Sequence, residues 1–169
     1  LKREAERILD EAPRRYGFRP SALWEVERHR LIVQLLNSVA QLEAQSGGWQ
    51  PIAFEARFGD PGPMFIVETA NGPLRLHGVI DRVDRSGDGD IRTIDYKTGG
   101  SHLNNADLVS GRRLQLPVYA LAARDALHLG EPVDGLYWQI LAAKPSSLTL
   151  SKFRSAAGAG VDGAITLMS

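Results

Sequence analysis

Two aspartates and a lysine are the first residues in this 169-residue chain whose types and spacing could do chemistry. The segment Gly78-Val79-Ile80-Asp81-Arg82-Val83-Asp84 is followed, across the turn-forming run Ser86-Gly87-Asp88-Gly89-Asp90, by Ile94-Asp95-Tyr96-Lys97-Thr98-Gly99. If the two segments pair as strands of a hairpin centred on Asp88, Asp81 lies directly opposite Asp95. Opposed residues share one face of the sheet with Cβ atoms about 4.5–5.5 Å apart, so two bare carboxylates there repel each other. A divalent cation between them removes that cost, and hard oxygen ligands are what Mg²⁺ and Mn²⁺ prefer. Lys97 lies two residues beyond Asp95, and the strand period brings its ammonium to the same face. The residues thus predict a site for a divalent cation with a lysine beside it.

The elements that must position this site can be read from periodicity. Ser21 to Gln45 carries Ile32, Leu35, Val39 and Leu42 on one helical stripe, begun by Pro20-Ser21 and stopped by Ser46-Gly47-Gly48; a shorter helix is expected over Lys2 to Ala12. After Pro51, Ile52, Phe54, Ala56 and Phe58 alternate with Ala53, Glu55 and Arg57, the pattern of a half-buried strand. Phe65–Thr69 and Leu74–Val83 are further strands with Asn71-Gly72 between them, and Ile91–Thr98 closes a meander. Leu114 to Leu129 returns to helical spacing, with Pro117 in the first turn and Gly130 as terminator. Gly135–Ala142 and Ser147–Phe153 read as strands. The small, glycine-rich stretch 155–169 is expected to be a loose tail. The order predicts an α/β protein, a mixed central sheet flanked by helices in the sequence αβββαβ, and the length predicts a single domain over 1–169 with its core at about residues 20–142.

Composition narrows the function classes. Twenty Lys and Arg balance twenty Asp and Glu, so no global field draws the chain to polyanions and any such site is local. The absence of cysteine excludes disulfides, thiolate catalysis and an iron–sulfur cluster within these residues. No apolar run approaches a membrane span and no signal segment opens the chain, so a cytoplasmic location is the default expectation. Leu1 stands where a Met would begin a protein, and the charged run after it reads as mid-helix, which leads us to expect a piece of something longer.

Asp81, the Asp95-Tyr96-Lys97 element and Gln115-Leu116-Pro117-Val118-Tyr119, in that order, resemble the PD-(D/E)XK nuclease superfamily and within it the RecB-type branch, in particular the C-terminal nuclease domain of AddB-like helicase–nuclease subunits. Glu55-Ala56-Arg57-Phe58-Gly59 also fits that branch. The resemblance implies a restriction-endonuclease-like core and hydrolysis of DNA phosphodiesters. It implies that Asp81, Asp95 and the backbone carbonyl of Tyr96 hold Mg²⁺ or Mn²⁺, with Glu55 as a weaker candidate ligand, and that Lys97 positions and helps activate water. Gln115 and Tyr119, i and i+4 on one helix, would border the site and the DNA. The implied setting is DNA end processing in recombination and repair, with exonuclease action and a helicase domain or subunit as partner.

The chain also departs from that pattern. The branch carries a further metal-binding His on a helix ahead of the strands, and His29, the one His there, lacks the expected Gly-x-x-x-His setting. By AddB-like spacing that residue would precede Leu1. Its absence favours an alternative of another class, a catalytically silent nuclease-fold module that binds DNA or serves as a scaffold. A third reading, metal-independent acid–base hydrolysis by Asp81 and Asp95, suffers because opposed strand positions bring the carboxyls closer than the roughly 6.5–9.5 Å of an inverting glycosidase. The bland reading of Asp81, Asp95 and Lys97 is a surface ion-pair ladder. Asp84 to Asp95 mimics an EF-hand loop, but its flanks alternate as strands and predict a plain hairpin turn. His77 and His102 lie close to the motifs in sequence, and Arg112-Arg113 could meet a phosphate.

Overall fold

A computed structural model describes residues 1–69, 71–99, 104–156 and 158–166. The single domain expected from the length divides into two compact units, Leu1–Gln45 with Ile140–Lys144, and Ser46–Gln139 with Pro145–Ser169. In the first, α1 (Lys2–Tyr16) and α2 (Ala22–Ala44) are tied by an Arg28–Asp10 ion pair at 2.6 Å. Ser21 caps α2 by accepting from the Trp24 N–H, as its type at that position predicts. Helix α1 runs one turn past the expected Ala12, because Gly17 adopts the left-handed conformation (φ 70°) that lets its N–H close on the Pro13 carbonyl.

The second unit is built on a five-stranded sheet in the order β1 (Gln50–Phe58), β4 (Gly78–Arg85), β5 (Ile91–Lys97), β6 (Pro132–Gln139), β7 (Lys144–Thr149). β4 runs antiparallel to both β1 and β5, whereas β5 and β6 are parallel. A parallel neighbour requires a crossover, and the chain supplies it with α3 (Asn105–Val109) and α4 (Gln115–Leu121), the latter continued by a π-helical turn over Ala122–Ala126. The mixed α/β architecture is thus the predicted one, with one insertion. The continuous strand expected over Leu74–Val83 is instead two, β3 (Gly72–Arg75) and β4, and β3 pairs with β2 (Ile66–Thr69) in a separate hairpin turned at Asn71-Gly72.

Two packed clusters hold α4 from both sides. Leu116 and Ala120 pack with Tyr137, Leu148, Leu150 and Phe153, while Leu121, Ala122, Ala123 and Ala126 pack with Phe58, Ile80, Val83 and Ile91. Each fully buried Leu or Ile contributes about 1.5–3 kcal/mol from apolar burial, so the helix face between the clusters is firmly placed.

Three further expectations need correction. The alternation over β1 does not survive: Ile52 and Phe54 are exposed, while Ala53 and Ala56, three apart, pack on the core. Glu55 between them has φ 48°, and an irregularity at Pro51/Ala53 shifts the register, so the pleat slips by one residue at the sheet edge. The helix expected over Leu114–Leu129 leaves α-geometry after Leu121, and the strand expected over Ser147–Phe153 becomes a 3₁₀ turn at Leu150–Lys152. Nor is the described part of 155–169 loose. A short hairpin of β8 (Arg154–Ser155) and β9 (Gly158–Ala159) leads into α5 (Gly160–Thr166), whose Val161 and Ala164 are buried in the first cluster. The glycines there are required for contact rather than looseness: a Cβ on Gly163 would meet the Gly158 carbonyl carbon at 2.3 Å. Residues 157 and 167–169 lie outside the described residues.

That packing predicts the sign of a substitution. Gly163→Ala should destabilise the protein by about 1–3 kcal/mol through overpacking, read as a lower urea midpoint. A loose tail would instead give no change or the slight gain that alanine brings to a helix.

Candidate active site

The hairpin register is the one the turn chemistry predicts. Arg82 pairs with Ile94 and Val83 with Thr93, so Asp81 and Asp95 follow at the next opposed position. There the ladder stops being purely backbone: the Tyr96 N–H donates to Asp81 Oδ2 at 2.7 Å. Glu55, across β1, stands between the pairs Phe54/Arg82 and Ala56/Ile80 and is therefore opposite Asp81. On β4 as on β1 the pleat slips at this point, since Ile80 and Val83, three apart, are both fully buried in one cluster. The turn itself is a plain hairpin, closed by Ser86 N–H to the Asp90 carbonyl at 2.8 Å, and not a calcium loop.

Asp95 is the centre of the cluster. Its side chain is 4% exposed, its Oδ1 accepts from Gln115 Nε2 at 2.7 Å, and its Oδ2 lies 2.6 Å from the Lys97 ammonium. The contact to Oδ2 is an ion pair without hydrogen-bond alignment, which leaves that buried oxygen with no hydrogen-bond donor. Lys97 Nζ also donates to Gln115 Oε1 at 3.0 Å and sits 5.1 Å from the centre of the Tyr137 ring. Gln115 Nε2 donates in addition to Tyr119 Oη at 2.9 Å. Gln115 thus bridges Asp95, Lys97 and Tyr119, and its i, i+4 spacing from Tyr119 is what allows both to face the strands from one side of α4. Because Tyr119 Oη already accepts from Gln115, its own proton is left for another acceptor.

The electrostatics follow from burial. Desolvation pushes the Asp95 carboxyl above its ordinary value, the Lys97 ammonium pulls it back, and the Asp81 charge pushes it up again. Tyr119 is raised chiefly by burial, opposed by the Gln115 hydrogen bond, with the charges of Asp95, Asp81 and Glu55 adding to the rise. Tyr137, 1% exposed, is pushed up to about 12 by burial first and then by Asp95, with Arg113 acting the other way. Both phenols therefore stay protonated at neutral pH.

Asp81, Asp95, Lys97, Gln115 and Tyr119 are thus brought into one neighbourhood. Glu55 is near enough for Tyr119 to feel its charge, yet it is exposed, and among the described residues no group of three or more His, Asp or Glu side chains is placed to hold an ion. A candidate ligand set therefore rests on two carboxylates and the Tyr96 main chain. That donor set is hard oxygen throughout, and the donor-free Asp95 Oδ2 fits a divalent cation. His29 is exposed on α2, His77 immediately precedes β4, and His102 lies outside the described residues. Arg113 is held only loosely, 3.9 Å from Asp107.

Tyr137 is the residue that sequence reasoning missed. It pairs with Asp95 across the parallel β5–β6 register and places its ring beside Lys97. Its signal was an aromatic in the strand after the crossover helix, visible only once the parallel register is known. The opposite face of β4 and β5 carries a different set: Asp84, fully buried, receives bonds from both Arg82 and Arg92, whose guanidinium groups also lie over Phe54 and Trp49.

A sheet with a crossover helix carrying this acid, acid, lysine and glutamine arrangement defines a nuclease-type fold, and comparison with known proteins agrees. The sequence model of the PD-(D/E)XK nuclease superfamily matches residues 1–162, and the chain belongs to that superfamily. Among curated proteins it is similar to three named as ATP-dependent helicase/deoxyribonuclease subunits of the B type. The one from Moorella thermoacetica is 32% identical over 75% of this chain and 11% of its own length, and the one from Leuconostoc citreum 32% over 73% and 11%. The third, from Symbiobacterium thermophilum, is 30% identical over 78% and 12%. The chain spans about a tenth of the length of these relatives. Among the described residues no helix is long and apolar enough to cross a membrane.

The buried carboxylate predicts a linkage. Since the folded protein holds the Asp95 proton more tightly than the unfolded chain does, the charged form costs stability as pH rises above the ordinary carboxylate range. In urea titrations with EDTA, the native protein should gain stability relative to Asp95→Asn as pH falls from neutral towards that range. A relative loss would show that Asp95 is not desolvated as described.

Proposed function

We propose that this chain is a divalent-metal-dependent deoxyribonuclease module, acting on DNA ends in recombination and repair beside a helicase domain or subunit. The observation that carries the reading is the buried Asp95, flanked by Asp81 and Lys97 and bridged by Gln115 to Tyr119. Superfamily membership and the names of the relatives support the same reading.

In this reading Asp81, Asp95 and the Tyr96 carbonyl hold Mg²⁺ or Mn²⁺. Such an ion supplies charge compensation for the phosphate oxygens and acidifies the attacking water. The remaining work falls to side chains. Lys97 adds a fixed positive charge beside the phosphodiester and orients the water through its ammonium protons. Gln115 holds Asp95 and Lys97 in place with both ends of its amide. Tyr119, protonated and with a free O–H, donates to a phosphate or sugar oxygen of the strand. Tyr137 fixes the Lys97 side chain by packing its ring beside the ammonium. With zero net charge over the chain, strand capture is left largely to the rest of a longer protein or a partner. The action expected is that of an exonuclease, in the cytoplasm.

The test uses single-stranded DNA with Mn²⁺ or Mg²⁺. Cutting should require the ion, stop in EDTA, and fall by roughly a hundredfold or more in Asp95→Ala and in Lys97→Ala. Binding without cutting in the native protein would identify the silent DNA-binding or scaffold module, and cutting that persists in EDTA would contradict metal dependence.

A further inference from the structure

The excursion between β1 and β4 builds a second feature beside the site. The loop Gly59–Phe65 and the β3–β4 junction enclose a cavity of about 530 Å³, lined by Asp60, Pro61, Met64, Phe65, Arg75 and His77 among others. It is preformed. Gly59, at φ 74°, lies so close to the junction that a Cβ would meet the Leu76 carbonyl oxygen at 2.4 Å and the His77 Cβ at 2.5 Å. Gly59 N–H donates to the Pro63 carbonyl at 2.7 Å, and Leu76 N–H to the Phe65 carbonyl at 3.0 Å, closing both walls. Its position relative to the site is given by stacked rings: Phe65 lines the cavity and packs edge-on against Phe58 at 5.4 Å, and Phe58 packs against Tyr119 at 6.0 Å.

The lining has an uncommon mixture. Met64 is 70% exposed at the rim, an apolar side chain that gains nothing from water. Asp60, Arg75 and His77 have no hydrogen bond or ion pair among the described residues, whereas Asp84, Asp95 and Asp107 each carry one. An apolar wall with unpaired charged and polar groups around it, of a volume in the range of small-molecule sites, is built for a flat ring attached to an anion.

We propose that this cavity is a nucleotide subsite, which rests on the nuclease reading: it seats one unstacked base of the DNA single strand that runs on from the site, with the base against Met64 and Pro61 and its phosphate on Arg75. Bases in a duplex are stacked and paired, and a pocket of this size takes one only when it is turned out, so the subsite selects single strand. Asp60 and His77 meet the polar edge of the base, where a carboxylate accepts from an exocyclic amine.

Fluorescence anisotropy with a labelled oligodeoxycytidylate, in EDTA so that nothing is cut, tests this. Arg75→Ala and Met64→Ala, both exposed and therefore harmless to folding, should each weaken binding at least threefold. Unchanged affinity in both overturns the subsite, and loss in Arg75→Ala alone overturns the base seat in favour of simple charge attraction. If the native protein cuts the strand while both variants bind as it does, only the subsite fails. If the native protein neither binds nor cuts, the nuclease reading fails and the subsite with it.

Discussion

A carboxylate taken out of water must be compensated by something in the protein, and much of the second unit is arranged around compensating Asp95. Burial alone would drive the group towards its neutral form. Lys97 opposes this from two residues along the same strand, and Gln115 from the crossover helix. The strand period makes the first possible and the parallel crossover the second. Neither interaction would hold its geometry without the two apolar clusters that fix α4, because Gln115 lies on a helix of only seven residues. Stability and chemistry are thus coupled at one residue. The site is costly to bury, and the surrounding core is what permits the cost.

The two faces of the β4–β5 ribbon show how similar residues serve different ends. On one face Asp84 is saturated by Arg82 and Arg92, each resting on an aromatic ring, and nothing is left over for a ligand. On the other, Asp95 Oδ2 keeps an ion-pair neighbour but no donor, and Tyr119 keeps a free proton. A saturated ion cluster holds structure in place. An unsaturated one keeps capacity for a partner. The slip of the pleat at Glu55 and Asp81 separates these regimes, since it frees the Asp81 side chain to take the Tyr96 N–H in place of a purely backbone ladder.

What could be read from the sequence depended on whether local rules decided the outcome. The opposition of Asp81 and Asp95 was legible because turn residues and a period of two fix a hairpin register without reference to the rest of the fold. Gln115 and Tyr119 were legible for the same reason, as an i, i+4 pair. Tyr137 was not, because a parallel register depends on the length and path of the crossover. The β1 alternation misled because it contains no residue whose type announces the positive φ at Glu55. The tail misled in a different way: glycine at 158 and 163 looks like looseness in sequence, while in space the absent Cβ lets two backbones touch. The split of Leu74–Val83 into two strands has a similar origin, in the close approach of Gly59 to Leu76 and His77.

The claim on which this account turns is that two aspartates on one ribbon share an ion. A crystal soaked in Mn²⁺ and measured at an anomalous wavelength locates that ion directly. The account predicts a peak between the Asp81 and Asp95 carboxylates, within bonding distance of an oxygen from each. A peak elsewhere, or none at saturating Mn²⁺ with both carboxylates ordered, would contradict it.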